Sequence, residues 1–398
     1  MDNNTRIENS FQKLKNYCEV ENFKGWDPYD GLNSKLFQAT PFKKSALARL
    51  ILIQTFKRSP INLRPLFGVD KQYNAKGIAL FLTGYCNLHK LAVKGNHVFG
   101  SPEEIVKQID ELAELLISLQ SRGYSGACWG YNFDWQARRL FLFPKTTPTV
   151  VATSFAVTAL FKAYEITKNL DYHNIAISAS EFVLKDLHRT KKNNGFLFSY
   201  SPLKGNDTVY NASLLGSKIL SLCYYYSKNN KYKEIAKQSV EACIGAQNDD
   251  GSWLYGELPV QNWIDSFHTG YNLEALSSFQ KYTGINDFQK NIDIGFKYYI
   301  NNFFEEDGKP KYYHNKTYPI DIHCPGQLPV TLSILNAMEN NKELVDNVLH
   351  WTIENMQNPK GYFYYQIKKG VSSKIPYMRW SQAFMFYAFS YYFSETHF

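Results

Sequence analysis

The chain has 398 residues, 16% of them aromatic (29 Tyr and 28 Phe), and a formal charge of +8. That length admits two ordinary domains or one large repetitive one. The lysines are scattered rather than gathered into the basic stripe of a nucleic-acid binder, so no nucleic-acid partner is expected.

No uninterrupted apolar run approaches the ~18 residues of a transmembrane segment, and the N-terminus lacks the apolar stretch of a signal peptide. Six cysteines without a CxxC pair read as reduced thiols, so a cytoplasmic location is expected, with the inner membrane face as a variant of it.

In chain order, residues 7–18, 44–57 and 74–91 carry helical periodicity. Two kinds of helix then alternate. Segments 101–120, 172–187, 231–247, 287–304 and 342–357 are amphipathic: Ile235, Ala236 and Val240, for example, oppose Lys233, Glu234 and Lys237. Segments 150–167, 208–227, 265–283, 325–338 and 380–396 are apolar or small on nearly every side, as helices enclosed by others are. Links from the enclosed to the amphipathic kind are short and polar, such as Ser227–Lys231 and Thr283–Asp287.

The return links are long, and four carry a glycine followed by aromatics: Gly195, Gly251, Gly308 and Gly361, at intervals of 56, 57 and 53 residues. A fixed period means one structural unit repeated. The expected fold is all-α, one domain over residues 1–398: an (α/α)6 toroid of about six helical hairpins, with residues 1–100 as N-terminal helices and an extension packed on the ring. An open solenoid is the competing architecture.

If the return links open at one end of the ring, their polar residues converge there. In Trp263–Asn272, the residues Asp265, His268 and Asn272 share a helix face. An Asp beside a His suits general acid/base work, the carboxylate orienting and charging the imidazole. The plainer reading is an N-cap Asp with a His filling the ring. Asp134, Trp135, Arg138 and Arg139 suit an anionic sugar, Arg gripping carboxylate or phosphate while Trp stacks on the apolar face; the plainer reading is a loop-tying salt bridge. Asp321 and His323 are further acid/base candidates, with Gln327 downstream. His323 and Cys324 are adjacent and so poorly placed to ligate one ion, and no metal is expected. Tyr200, Tyr377, Arg379 and Trp380 extend the aromatic and cationic theme. GxGxxG, GxxxxGK[ST] and GxSxG are all missing, and no cofactor is expected.

Gln247-Asn-Asp-Asp-Gly-Ser-Trp253 resembles the QxxxGxW motif of the prenyltransferase and terpene-cyclase α/α toroids, and Gln357–Phe363 is a softer copy. In those families the motif is a structural tie, so the resemblance implies architecture. Segments Gly25–Asn33, Phe133–Arg138, Trp263–Asn272, His323–Gln327 and Ile375–Trp380 look like a bacterial family found with surface-polysaccharide biosynthesis genes. The long loop-to-helix pattern is similar to the C-terminal toroid of glucuronyl C5-epimerases.

The resemblance supports a glycan and leaves the reaction open. The toroid, the aromatic rim and the Asp, His, Arg and Tyr at one end point to an enzyme acting on a bacterial surface glycan or its lipid-linked or nucleotide-linked precursor, with glycosyltransferases as expected partners. For an epimerase or lyase, His268 or Tyr271 is the base and Arg138 or Arg379 the carboxylate clamp. For a hydrolase, Asp134 and Asp265 or Asp321 form the pair. A non-catalytic glycan-binding protein and a terpene-type cyclase are the alternatives, the latter lacking a separate acidic motif.

Overall fold

The computed structural model describes residues 3–136 and 142–396. Its helices are α1 (Asn3–Val20), α2 (Lys35–Gln38), α3 (Ala46–Arg58), α4 (Ala75–Ala92), α5 (Pro102–Ser118), α6 (Val150–Thr167), α7 (Leu170–Glu181), α8 (Tyr210–Ser227), α9 (Asn230–Ile244), α10 (Ser266–Thr283), α11 (Gln289–Phe303), α12 (His323–Ile334), α13 (Lys342–Met356) and α14 (Ala383–Thr396). Short strands decorate the return links: β1 (Trp135–Gln136) pairs with β2 (Leu142–Phe143), and β3 (Arg189–Lys192) with β4 (Gly195–Phe198). The third small sheet joins β5 (Ile320–Asp321), β6 (Gln366–Lys368) and β7 (Val371–Ser373). The sequence pattern showed none of these strands, because two to four residues are too few to display alternation.

The inner helices α4, α6, α8, α10, α12 and α14 each pack on the next, and α14 packs back on α4. The ring is therefore closed, an (α/α)6 toroid rather than a solenoid. Its last hairpin is built from the two ends of the chain: inner α14 is backed by outer α1, which also packs on α13. Thus α1 and α4 are ring members, and within 1–100 it is α2 and α3 that lie outside the two layers.

The periodic glycines hold the outer layer together. Gly195, Gly251, Gly308 and Gly361 have φ of +136°, +92°, +81° and +100°, a region that disfavours any side chain. A Cβ at these positions would lie 2.0–2.4 Å from a carbonyl oxygen of the next outer helix: Gln238 in α9, Ile294 in α11, Asn347 in α13 and Lys13 in α1. The last of these contacts joins the C-terminal repeat to the N-terminal helix. Gly126 makes the same contact with Ser178 of α7, and the β1–β2 insertion that follows it hid it from the period.

The glutamines of the QxxxG segments reinforce each seam. Gln247 Nε2 donates to the Gly251 and Asn291 carbonyls, both at 3.0 Å, and Gln357 Nε2 to those of Gly361 and Ser10 at 2.9 and 3.0 Å. Each amide thus bridges to the next outer helix, while the Trp253 indole caps α9 by donating to the Cys243 carbonyl at 3.0 Å.

The expectation about apolar runs needs one correction. Helix α6 has the length and mean hydropathy (1.2) of a membrane span, yet 67% of it is buried within the protein, as its place in the inner layer requires. Away from the N-terminal ends of the inner helices, polar groups meet across the ring. Lys218 of α8 pairs with Glu274 of α10, and Lys162 Nζ of α6 donates to Asn87 Oδ1 and Tyr391 OH at 2.9 and 3.0 Å. All six cysteines are buried and free.

Candidate active site

A cavity of about 660 Å³ opens at the end of the ring where the return links enter the inner helices. Every one of the six links contributes to its lining: Tyr29, Tyr131, Tyr200, Tyr255, Tyr312 and Trp380 come one from each. Aromatic side chains with polar tips make such a wall apolar in body and hydrogen-bonding at its edge, which suits sugar rings. Lys57, Lys76 and Arg379 also line it, whereas among the described residues no Asp or Glu does.

His268 sits in the first turn of α10. Asp265 is the N-cap, its Oδ1 accepting the His268 backbone N–H at 3.0 Å. Its Oδ2 lies 2.7 Å from His268 Nδ1 and 3.0 Å from the Trp263 indole nitrogen, which donates to it. The capping and the imidazole-orienting readings of Asp265 are therefore both realised by one carboxylate. A carboxylate on Nδ1 fixes the proton there and leaves Nε2 for the cavity. Trp263 stacks on Tyr255 at 4.6 Å and Tyr255 abuts His268 at 4.7 Å.

His323 begins α12 and lines the same cavity. Its ring is enclosed by Phe384, Trp380 and Phe267, with centroids at 3.6, 4.2 and 4.9 Å. Phe267 also touches His268 at 4.2 Å, so the two imidazoles flank one phenyl ring. Burial, then the Lys76 and Arg379 charges, push the His323 pKa well below 6.5 and keep the ring neutral. Its Nδ1 is buried without a partner, and Asp321 Oδ1, at 3.9 Å, is too far to hydrogen-bond it.

Tyr271, Trp135, Tyr200, Trp263, Arg379 and Trp380 all line the cavity, in keeping with the expected convergence of the return links. Two of them have altered roles. Burial raises the Tyr271 pKa well above 10, so its hydroxyl stays protonated and accepts from Lys76 Nζ at 3.3 Å rather than serving as a base. Arg379 is held by Asp27 through Nε and Nη2, at 2.5 and 2.8 Å, which leaves only Nη1 uncommitted for a ligand.

The remaining candidates lie elsewhere. Asp321 is buried behind the wall, where it accepts from Trp380 Nε1 at 2.8 Å, Gln366 Nε2 at 2.9 Å and the His323 backbone N–H at 3.1 Å. Burial raises its pKa to about 6, but its place is to position Trp380 and the start of α12. Asp134 accepts the Lys145 backbone N–H at 2.7 Å and closes its own loop. Tyr377 is fully buried and accepts from Arg64 at 2.9 Å. Gln327 is buried where α12 meets α10, donating to Thr331 at 3.1 Å. Asn272 lies one turn below His268, buried beside Asp265. Arg138 and Arg139 fall outside the described residues.

Sequence reasoning missed Lys76, Lys57, Arg64 and Tyr131. Lys76 left a signal: it is a charged residue in the first turn of a helix whose other positions are almost all apolar or small. Its Nζ is surrounded by the Phe155, Phe384 and Tyr271 rings at 4.5, 4.9 and 5.2 Å and meets no carboxylate. Arg64 gave none. It reaches back 34 residues to Asp30 at 2.5 Å and to the Asp27 carbonyl at 2.6 Å, which locks the first link beneath Arg379.

No family model matches the chain, and no curated protein matches it in sequence. Its fold is similar to that of cellobiose 2-epimerase from Bacillus thermoamylovorans, with a TM-score of 0.63 at 13% identity over 82% of this chain and 90% of that one. An unsaturated glucuronyl hydrolase specific for heparin gives 0.62 at 10% identity, covering 99% and 97%. A GH76 α-mannanase of Bacteroides thetaiotaomicron gives 0.57 at 13% identity, covering 80% and 85%. Identities this low establish a shared α/α-toroid fold.

Proposed function

We propose that the protein is a carbohydrate epimerase or isomerase that moves a proton at a carbon next to a carbonyl or carboxylate group. One observation carries this reading: two imidazoles of different character flank Phe267 in one aromatic-walled cavity. His323, held neutral, accepts the carbon-bound proton, and the C–H electron pair moves onto the adjacent oxygen. The resulting enediolate is stabilised by Lys76, Arg379 Nη1 and the tyrosine hydroxyls. His268, whose positive form is balanced by Asp265, returns a proton to the carbon. The roles exchange in the reverse direction.

Hydrolysis by paired carboxylates fits less well, because Asp265 and Asp321 sit behind the histidines and Asp134 is committed to its loop. Toroid neighbours that are epimerases and sugar hydrolases support a sugar substrate. Lys76, which meets no carboxylate, and the Arg379 Nη1 left over by Asp27 support an anionic one. A role in bacterial surface-polysaccharide biosynthesis alongside glycosyltransferases is part of the proposal and rests on the sequence resemblance, and a cytoplasmic location rests on the cysteine pattern.

The test is incubation in D2O with neutral and uronate-containing reducing oligosaccharides, followed by proton NMR. Deuterium entry at the carbon next to the carbonyl is expected, reduced at least ~100-fold in His268→Gln and His323→Gln. Bond cleavage without exchange would replace this reading with a hydrolase.

A further inference from the structure

The segment between Asp30 and Asp70 differs from the rest of the surface. From Lys35 to Val69 it contains seven basic residues and no acidic one; six are at least partly exposed, and the seventh, Arg64, is buried on Asp30. Within it Leu36, Phe42, Leu47, Ile51, Ile61 and Leu66 are 56–73% exposed. Among the other described residues exposed large apolar side chains mostly stand singly, as at Val93, Leu170 and Tyr225, with Leu258 and Val260 a small pair; single ones are ordinary for a protein surface. Here Leu36, Phe42, Leu47 and Ile51 belong to short elements that pack on one another, α2, the 3-10 turn Pro41–Lys44 and α3, while Ile61 and Leu66 lie in the segment that follows α3. Helix α3 buries Ile53 and Phe56 and turns Leu47 and Ile51 outward, with Lys43 and Lys44 before them and Arg58 after.

This face adjoins the cavity mouth. Gln54 and Lys57, on the flank of α3 next to the outward stripe, line the cavity. Across the mouth, Leu258 and Val260 also line it and are 38% and 42% exposed. The Lys368–Val371 turn adds Lys368, whose Nζ lies 3.5 Å from the Arg58 carbonyl oxygen, and the exposed Val371. Burial and then the Arg58 and Lys57 charges lower the Lys368 pKa.

We infer that this face docks on an anionic lipid bilayer, with Leu47, Ile51, Phe42 and Leu66 entering the interface and Lys43, Lys44 and Arg58 meeting the headgroups. Exposed aliphatic and Phe side chains ringed by lysine are the composition of an interfacial membrane element. Protein interfaces instead are depleted in lysine, and a second copy would bring two basic faces together. Docked this way, the mouth faces the membrane, so a sugar carried on a lipid reaches the histidines without leaving the surface. That last consequence rests on the sugar reading above; the docking itself does not.

The experiment is co-sedimentation of the full chain with phosphatidylcholine vesicles, with and without phosphatidylglycerol. Binding is expected to the anionic vesicles only and to weaken with salt. Lys43→Gln/Lys44→Gln should lower it about 30-fold and Leu47→Ser/Ile51→Ser at least about tenfold. Both pairs lie outside the cavity lining, so sugar turnover in solution should be unchanged and a fold control by circular dichroism should match the parent. Absence of binding to anionic vesicles, or binding indifferent to both pairs, overturns the inference. So does self-association in light scattering that Leu47→Ser/Ile51→Ser abolishes, which would assign the face to a protein contact.

Discussion

Asp265→Asn separates two functions that one carboxylate performs. Asparagine caps helices as well as aspartate does, so Oδ1 continues to accept the His268 backbone N–H, which it holds at 3.0 Å in the parent. The second position changes from acceptor to donor. Oδ2 now accepts from the Trp263 indole at 3.0 Å and faces His268 Nδ1 at 2.7 Å; an amide NH2 can do neither with a protonated Nδ1. The imidazole must shift its proton to Nε2, and the Trp263 N–H loses its acceptor, at a cost of about 1–2 kcal/mol. Asp265→Ala loses the cap as well, about 1 kcal/mol more.

Urea denaturation should therefore rank parent, Asn and Ala in that order, with small steps. Exchange activity should instead fall steeply, about 10²–10⁴-fold, already in the Asn variant, because the positive His268 that returns the proton loses its counter-charge, and in the reverse direction its cavity-facing nitrogen already carries a proton and cannot accept one. Side-chain 15N NMR of His268 reads the tautomer without any substrate: Nδ1–H in the parent, Nε2–H in Asp265→Asn. An unchanged tautomer, or full exchange activity in Asp265→Asn, would refute the assigned role of the pair.

Three further outcomes follow from the geometry. Gly361→Ala should cost about 3 kcal/mol or more in urea denaturation, since its Cβ would meet the Lys13 carbonyl at 2.3 Å; Gly370→Ala, at φ +82° with nothing within 4 Å, should cost only about 1–2 kcal/mol. Equal costs would show that the seam between Gly361 and α1 does not close the ring. Because the folded pKa of His323 lies below its unfolded value, the unfolded chain takes up a proton as pH falls through about 6.5 while the folded one does not. Stability is thus complete above that pH and lost below it. Asp321, raised to about 6 from 3.8, contributes in the opposite sense between those values, but it does so in parent and variant alike. His323→Gln should accordingly lose up to about 2 kcal/mol less than the parent between pH 6.5 and 5, read by urea denaturation at each pH; parallel curves would count against a neutral buried His323. Lys76→Met should raise stability by about 1–3 kcal/mol, since it removes a buried amine that has no carboxylate partner, while lowering turnover of an anionic sugar. A loss of stability would mean that the aromatic cage favours the ammonium.

The sequence by itself determined the repeat, the two kinds of helix and the end of the ring at which polar residues gather. These are local quantities: 3.6-residue periodicity, polar turns, and glycines at positions where only a hydrogen fits against a neighbouring backbone. It also placed Asp265 and His268 on one helical face, since three residues span about one turn. Closure was not local. It depends on Gly361 and Gln357 meeting Lys13 and Ser10 from the other end of the chain, and no spacing encodes that. The same holds for direction. His323 and Asp321 are near neighbours in sequence, yet one lines the cavity and the other is enclosed behind Trp380. Tyr377 and Arg379 are two residues apart, yet one is wholly buried and the other reaches the cavity. Only the packing of six links around one mouth decided which side chains line the cavity, and it set Asp265, Asp321 and Asp134 outside that lining, with Asp265 holding His268, Asp321 holding Trp380 and Asp134 its own loop.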